Sequence, residues 1–241
     1  MTTKQIIENL TGYWIHKKKY LPMGTSLQND IVNRFNYKKL DIIFDIGSNI
    51  GQTHKAFKQD FPKSKIYCFE PINKTFEVLQ KNIMDVDKNA ILENFAFGES
   101  IGEKEVSLFD EWDVLNSLND SLMNKSKDAT KQTVSIDTVD NYCLNKNIKK
   151  IDLLKIDTEG YELNVLKGTD KLLKSKNVSF ILCEVGFLNK NVRNTNFSAL
   201  SEFLAEYEYF FVSMYNGSNE FWNKGLYYGN ALFANSDLSF K

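Results

Sequence analysis

Histidine is nearly absent from this chain, with two residues in 241, and proline and cysteine are scarce at three each. No apolar run approaches the roughly 18 residues needed to span a bilayer. Neither charge dominates: 30 Lys and Arg stand against 31 Asp and Glu, a formal net charge of −1. Each shortage excludes something. A balanced charge supplies no bulk field toward nucleic acid or an anionic membrane. Without a long apolar run there is no membrane-spanning helix. Cys68, Cys143 and Cys183 are odd in number, far apart and without metal-ligand spacing, which points to reduced, mostly buried thiols in a cytoplasmic protein. The opening "MTTKQIIENLTGYWIHKKKY" has no apolar core behind a basic start, so no secretory leader is expected. What is present suits one large α/β domain over residues 1–241.

Residues 1–38 are polar and mixed, and read as a helical N-terminal cap over one end of the domain. From Asp41 the pattern changes. "DIIFDI" is a short apolar run, as expected of a parallel strand covered on both faces. Ile50, His54, Phe57 and Phe61 then mark one face of a helix. "SKIYCFEP" reads as a second strand, "NKTFEVLQKNIM" as a helix with Asn73 as N-cap, and "AILENFAFG" as a third strand. Strand and helix alternate with short connections, the mark of βαβ units. Residues 99–136 break the rhythm: two strands flank a polar loop, an insertion suited to a lid or binding loop. "IDLLKI", a helix interrupted near Gly168, "VSFILCEV" and "NFSALSEFLAEY" resume the alternation. Two aromatic-rich strands close the chain, in antiparallel pairing.

The stretch "FDIGSNIGQT" poses the functional question. Gly47 and Gly51 could serve a tight strand-to-helix turn and nothing more. The alternative is a cofactor loop at the carboxyl edge of a parallel sheet, where such crevices bind ligands. A dinucleotide fingerprint wants G-x-G-x-x-G, but Asn49 stands at the second glycine and Gly51 comes one residue early, so a pyrophosphate has poor access. Glu70 ends the next strand, where a carboxylate suits both ribose hydroxyls. Asp45 brings negative charge to the loop, which repels phosphate and attracts an ammonium group. A ribose, no phosphate and a cationic amino-acid tail describe S-adenosylmethionine.

Three blocks in order, "FDIGSNIGQT", "CFEPINKTFEVLQKN" with "ENFAFGES", and "VSIDTVDNY" through "IDLLKIDTEGYELNVLKG", resemble the FkbM family of S-adenosylmethionine-dependent methyltransferases. The resemblance covers residues 41–184. It implies an α/β, Rossmann-like class I methyltransferase fold: a mostly parallel seven-stranded sheet with an antiparallel C-terminal hairpin and helices on both faces. It implies O-methylation of a hydroxyl on a small acceptor, a sugar, glycan or secondary metabolite. By the same resemblance Asp45, Gly47, Asn49 and Gly51 surround the methionine end of the cofactor and Glu70 takes the ribose. Asn94 and Ala96 approach the adenine, and Ser117 lies near cofactor or acceptor. The N-terminal segment and everything after Glu184 match no motif of that family.

Asp157 and Glu159 follow the fourth strand, on the same edge as Asp45 and Glu70. Either can meet the acceptor hydroxyl, and two carboxylates so close raise each other's pKa. Glu162 sits where negative charge favours the start of the next helix. Glu184 is an acid in an apolar strand and is expected to face the cleft. Asp157 and Glu184 lack an evident third ligand, so no metal is expected. Lys155 is read as an ion-pair partner for these acids, and His54 as a core histidine. Phe210, Phe211, Tyr227 and Tyr228 read as strand core, whereas Tyr215, Phe221 and Trp222 read as tip residues suited to sugar stacking or to a homodimer contact. Two other functions compete on the same fold. A nucleic-acid methyltransferase would show a basic stripe, but the insertion "FDEWDVLNSLND" is acidic. An inactive binding module would show damage at Asp45, Glu70 or Asp157, and all three are intact. A nicotinamide-dependent oxidoreductase is disfavoured by the glycine spacing.

Overall fold

The structure is a computed structural model and describes residues 1–17, 20–108, 130–188, 193–218 and 225–240. Ser117, Phe221 and Trp222, and most of the loop expected as a lid, lie outside the described residues. In chain order the elements are α1 (Thr3–Thr11), α2 (Leu27–Asn29, continuing as a π-helical turn, Asp30–Arg34), β1 (Ile42–Ile46), α3 (Gln52–Asp60), β2 (Lys65–Phe69), α4 (Asn73–Met84), β3 (Ile91–Glu93), β4 (Ala96–Phe97) and β5 (Gly102–Leu108). They continue with β6 (Thr130–Asp137), α5 (Val139–Asn145), β7 (Ile151–Ile156), α6 (Glu162–Lys167), α7 (Asp170–Lys174), β8 (Val178–Gly186), α8 (Phe197–Glu206), β9 (Tyr209–Ser218) and β10 (Tyr228–Asn235).

The main sheet has seven strands in the order β3-β2-β1-β7-β8-β10-β9. The first five are parallel, and β10 runs antiparallel to both β8 and β9. This is the expected class I methyltransferase topology. The order reverses between β1 and β7, so the strand ends diverge there and open a crevice.

Period-two alternation distributes the core. Phe44, Ile46, Leu154, Ile156 and Cys183 pack on one side with α5, α6 and α7. Ile43, Leu153, Phe180 and Leu182 pack on the other with Phe57, Phe61, Leu79 and Ile83 from α3, α4 and the turn after α3. Both faces are therefore apolar, which is why these strands read as unbroken hydrophobic runs. α6 ends at Gly168, where only glycine fits: a Cβ there would lie 2.0 Å from the carbonyl oxygen of Gly98.

Several expectations need correction. "AILENFAFG" is two strands, not one: β4 leaves the main sheet and pairs with β6 in a three-stranded sheet, β4-β6-β5. Residues 1–38, read as a cap, divide in two. Ile31, Phe35 and Leu40 are buried against the sheet, but no residue of α1 is. Asn73 is the first residue of α4, and the N-cap position falls on Ile72 without a side-chain bond. Tyr215 is buried in β9, donating from its hydroxyl to Asp30 Oδ2 at 2.7 Å, and is no exposed tip. Phe210 and Phe211 lie on the edge strand, half-exposed. His54 is a core residue, as expected, with Nδ1 3.5 Å from Cys68 Sγ and Nε2 3.4 Å from Asp87 Oδ2. This Cys–His–Asp arrangement is sealed from solvent, and burial lowers the His54 pKa and holds the thiol protonated.

Candidate active site

The loop after β1 turns through left-handed backbone at Gly47, Asn49 and Gly51, with φ of 75°, 48° and 93°. Two of the three are glycine, and asparagine tolerates that region better than other side chains. Gly47 has a second constraint. A Cβ there would lie 1.8 Å from the carbonyl oxygen of Asp157, because the loop crosses directly over the end of β7. Gly47→Ala is expected to lose at least about 2 kcal/mol of stability, the left-handed penalty alone being about 1–2 kcal/mol. Urea unfolding checks this, and a loss below about 0.5 kcal/mol would show that the loop can shift aside.

Glu70 closes the next strand and is buried. Its carboxylate accepts from the backbone N–H of Asn49 at 3.1 Å and of Ile72 at 2.9 Å, so it ties the glycine loop to its own strand. Burial raises its pKa to about 7, against these two hydrogen bonds. Asn94 holds the Glu70 carbonyl oxygen from Nδ2 at 2.8 Å.

Register explains the charged group beneath the loop. Asp45 of β1 is the cross-strand neighbour of Lys155 in β7, and Ile156 pairs with Cys183 in β8. Asp157 and Glu184 each lie one position further along those strands, on the same side as Asp45 and Lys155. Lys155 Nζ lies 3.0 Å from Asp45 Oδ1, 3.3 Å from Asp157 Oδ2 and 3.3 Å from the Gly47 carbonyl oxygen. Burial opposes the Lys155 charge, but Asp45 and Asp157 outweigh it and raise the pKa. Asp45 is fully buried and neither of its oxygens has a well-aligned hydrogen bond, so charge balance alone holds it.

The segment after β7 is shaped by Glu162, which is fully buried at the start of α6. Its Oε1 accepts from Thr158 N at 2.9 Å, Thr158 Oγ1 at 3.1 Å and Gly160 N at 3.1 Å. Its Oε2 accepts from Thr195 N at 3.3 Å and from the Thr195 hydroxyl at 2.5 Å. Those bonds hold Glu159 in left-handed backbone, φ 52°, next to Gly160 at 94°. They also bring Arg193 and Asn194 to the cavity. Arg193 Nε and Nη2 each donate to Glu159 at 3.2 Å, and Asn194 Nδ2 donates to Glu184 Oε2. Burial raises the Glu159 pKa to about 7 despite Arg193. Burial, then Asp157, Glu159 and Glu162, raise that of Glu184 well above the usual carboxylate range.

One cavity of about 880 Å³ joins these parts. Gly47, Asn49, Glu70 and Ala96 line it on one side, with Phe95 and Phe97; Asp157, Glu159 and Glu184 line it on the other. Three of the expected residues stand behind its wall. Asp45 faces Lys155 rather than the cavity, so its charge is neutralised below the loop, where the sequence reading had it bring negative charge to the loop and attract an ammonium group. Gly51 packs on α4, where a Cβ would meet Ile83 and Leu79 at 3.0 to 3.1 Å. Asn94 supports Glu70. Tyr227 and Tyr228, read as core, line the cavity instead. Sequence reasoning missed Arg193 and Asn194, which belong to no motif; the one signal was a lone arginine soon after an acid-bearing strand. Asp157, Glu159 and Glu184 each bring a carboxylate oxygen within 4.8 Å of the others.

The chain is similar to several characterised proteins. It is 29% identical over 147 residues to the hexuronic acid methyltransferase AglP of Haloferax volcanii, covering 60% of this chain and 56% of that protein. It is 26% identical over 145 residues to the 2-O-methyltransferase NoeI of Sinorhizobium fredii, covering 55% and 58%. The chain thus spans somewhat more than half the length of these curated relatives. Among solved structures, TrmK of M. capricolum in complex with S-adenosyl-homocysteine aligns at 12% identity and a TM-score of 0.48, over 88% of this chain and 70% of that one. A family described as methyltransferase FkbM domain matches residues 45–211, which run from the acid before the glycine loop into β9. This chain belongs to the FkbM methyltransferase domain family.

Proposed function

We propose that the protein is an S-adenosylmethionine-dependent O-methyltransferase acting on a hydroxyl of a small acceptor, a sugar, glycan or secondary metabolite. The observation that carries this reading is the single cavity with a ribose-type carboxylate, Glu70, on one wall and the acids Asp157, Glu159 and Glu184 on the other. The residues present fit the cofactor. Gly47 and Asn49 let backbone approach its methionine end, Glu70 accepts from ribose hydroxyls, and Ala96 with Phe95 and Phe97 gives an apolar seat for adenine. Asp45, Gly51 and Asn94 act from behind the wall. When bound, S-adenosylmethionine supplies a methyl group activated by positive sulfur. The chain's own residues orient the acceptor oxygen and take its proton late in the transfer. Glu159, whose pKa is raised to about 7, suits the base. Glu184, held protonated at neutral pH, suits donation of a hydrogen bond to the acceptor, and Asp157 suits alignment of the hydroxyl. Tyr227 and Tyr228 offer ring faces to a sugar. The relatives that act on a hexuronic acid and at a 2-O position support a hydroxylated acceptor. Cys68, Cys143 and Cys183 are buried and unbridged, which supports a reducing, cytoplasmic setting.

Calorimetric titration with S-adenosylmethionine tests the reading. Glu70→Ala is expected to weaken binding tenfold or more, about 1.4 kcal/mol. No heat with either the cofactor or its demethylated product would remove the methyltransferase assignment. The raised Glu70 pKa sets a pH dependence. Ribose hydroxyls donate to the ionised carboxylate, so binding favours deprotonation. Affinity should therefore rise as pH increases through about 7, with proton release visible in buffers of different ionisation heat. A flat profile in wild type would mean that Glu70 does not meet the ribose.

A further inference from the structure

α1 is built to stand without the rest of the fold. Thr2 N donates to Gln5 Oε1 at 2.8 Å and Gln5 N to Thr2 Oγ1 at 3.3 Å, a complete capping box. At the other end Gly12 is left-handed and donates to the Glu8 carbonyl oxygen at 2.9 Å. The chain then folds back, because Ile15 N donates to Glu8 Oε1 at 2.8 Å. A nine-residue helix is marginal alone in water, so caps at both ends are what it needs. Yet it buries nothing. Ile6, Ile7 and Leu10 fall within an arc of about 100° on the helix surface. Leu10 is 81% exposed and Trp14 86%, with Tyr13 exposed beside them.

Charge indicates what covers this face. Residues 1–20 hold four lysines and one glutamate, a net charge of +3; with −1 for the whole chain, residues 21–241 carry −4. The single acid, Glu8, is engaged by Lys4 at 3.6 Å. A net positive charge is thus gathered in the segment that exposes an aliphatic arc, a tyrosine and a tryptophan, while the rest of the chain is net negative. In a two-fold contact a second copy would set this positive segment against itself. An anionic bilayer surface matches both features: acyl chains take the apolar arc, headgroups take the lysines, and amphipathic aromatic rings sit at the boundary. We propose that α1 and the residues up to Lys17 dock the protein on an anionic lipid surface. The docking does not depend on the methyltransferase reading.

The test is co-sedimentation of the full chain with vesicles of phosphatidylcholine alone and of phosphatidylcholine with phosphatidylglycerol. Wild type is expected to partition at least tenfold more strongly onto the anionic vesicles and to be released by salt. Leu10→Asp combined with Trp14→Ala should lower that partition at least tenfold while thermal unfolding stays unchanged, since neither side chain is buried. No partition onto anionic vesicles, or equal partition of the variant, overturns the proposal. So does a concentration-dependent dimer that Leu10→Asp abolishes, because the face would then belong to a second copy.

Discussion

Lys155→Met should cost about 3–5 kcal/mol of folding stability, the range for removing one partner of a buried ion pair. Asp45 has no exposure and no aligned hydrogen bond in its place. Without the ammonium group 3.0 Å away, the carboxylate must stay charged in an apolar layer or take up a proton. The variant should therefore acquire a pH dependence. Its folded state would hold the Asp45 proton more tightly than the unfolded chain, so the penalty is present at neutral pH and eases as pH falls. In wild type the raised Lys155 pKa acts with the same sign in a different window: its contribution is fully present below the ordinary lysine value and is lost only in strong alkali. Urea unfolding of the variant between pH 5 and 8 tests the first statement, and unfolding of wild type in alkali tests the second. The double variant Lys155→Met with Asp45→Asn should recover part of the loss, since it removes the fully buried charge and leaves only the part-exposed Asp157 without Lys155. A single variant as stable as wild type would mean that water reaches Asp45.

Glu162→Ala should be comparably damaging, by a different route. The substitution leaves the Thr158, Gly160 and Thr195 amides without the acceptor that now holds them. Each buried unsatisfied group costs about 1–3 kcal/mol, so a loss of about 3–5 kcal/mol is expected by urea unfolding. Truncation does not recover the desolvation cost of the carboxylate in full, because its donors are part-buried and regain only limited contact with water. The local consequence is sharper than the global one. Glu159 would no longer be held in left-handed backbone, and Arg193 and Asn194 would lose their tether through Thr195. Glu162→Gln keeps one oxygen and should fall between the two. On the proposed reading the cofactor meets Gly47, Asn49 and Glu70 rather than Glu162, so its affinity for the folded variant is expected to stay within about threefold of wild type, a margin below 1 kcal/mol. An alanine variant of unchanged stability would mean that the loop has another conformation of equal energy.

These two residues show where the sequence was readable. β1, β2, β7 and β8 stand out because strands covered on both faces are continuous apolar runs, and a charged residue inside such a run, as at Asp45, Lys155 and Glu184, advertises a partner. Glu70 and Asp157 were legible because each ends a strand on one edge. The failures have physical causes too. Direction is not encoded in a side-chain pattern, so nothing in "FDIGSNIG" tells that Asp45 turns toward Lys155 while Asn49 turns toward the cavity. β4 leaves the main sheet only because its partner, β6, arrives some thirty residues later, a contact that no local window contains. Arg193 and Asn194 reach the acids through Thr195 and Glu162, a tertiary bond that leaves no periodic trace. The exposed face of α1 was hidden because amphipathic spacing reads the same whether the apolar side is covered or not.

Lys155 carries one more implication. Its Nζ touches the Gly47 carbonyl on one loop and Asp157 on the other, while Gly47 N donates to Phe69 O and Asp157 N to Ile46 O, each at 3.0 Å. Glycine loop and acid loop share one set of bonds, so they belong to one cooperative opening unit. Amide hydrogen exchange at Gly47 and Asp157 should then report a common opening free energy, and ligand occupancy of either half should slow exchange in both.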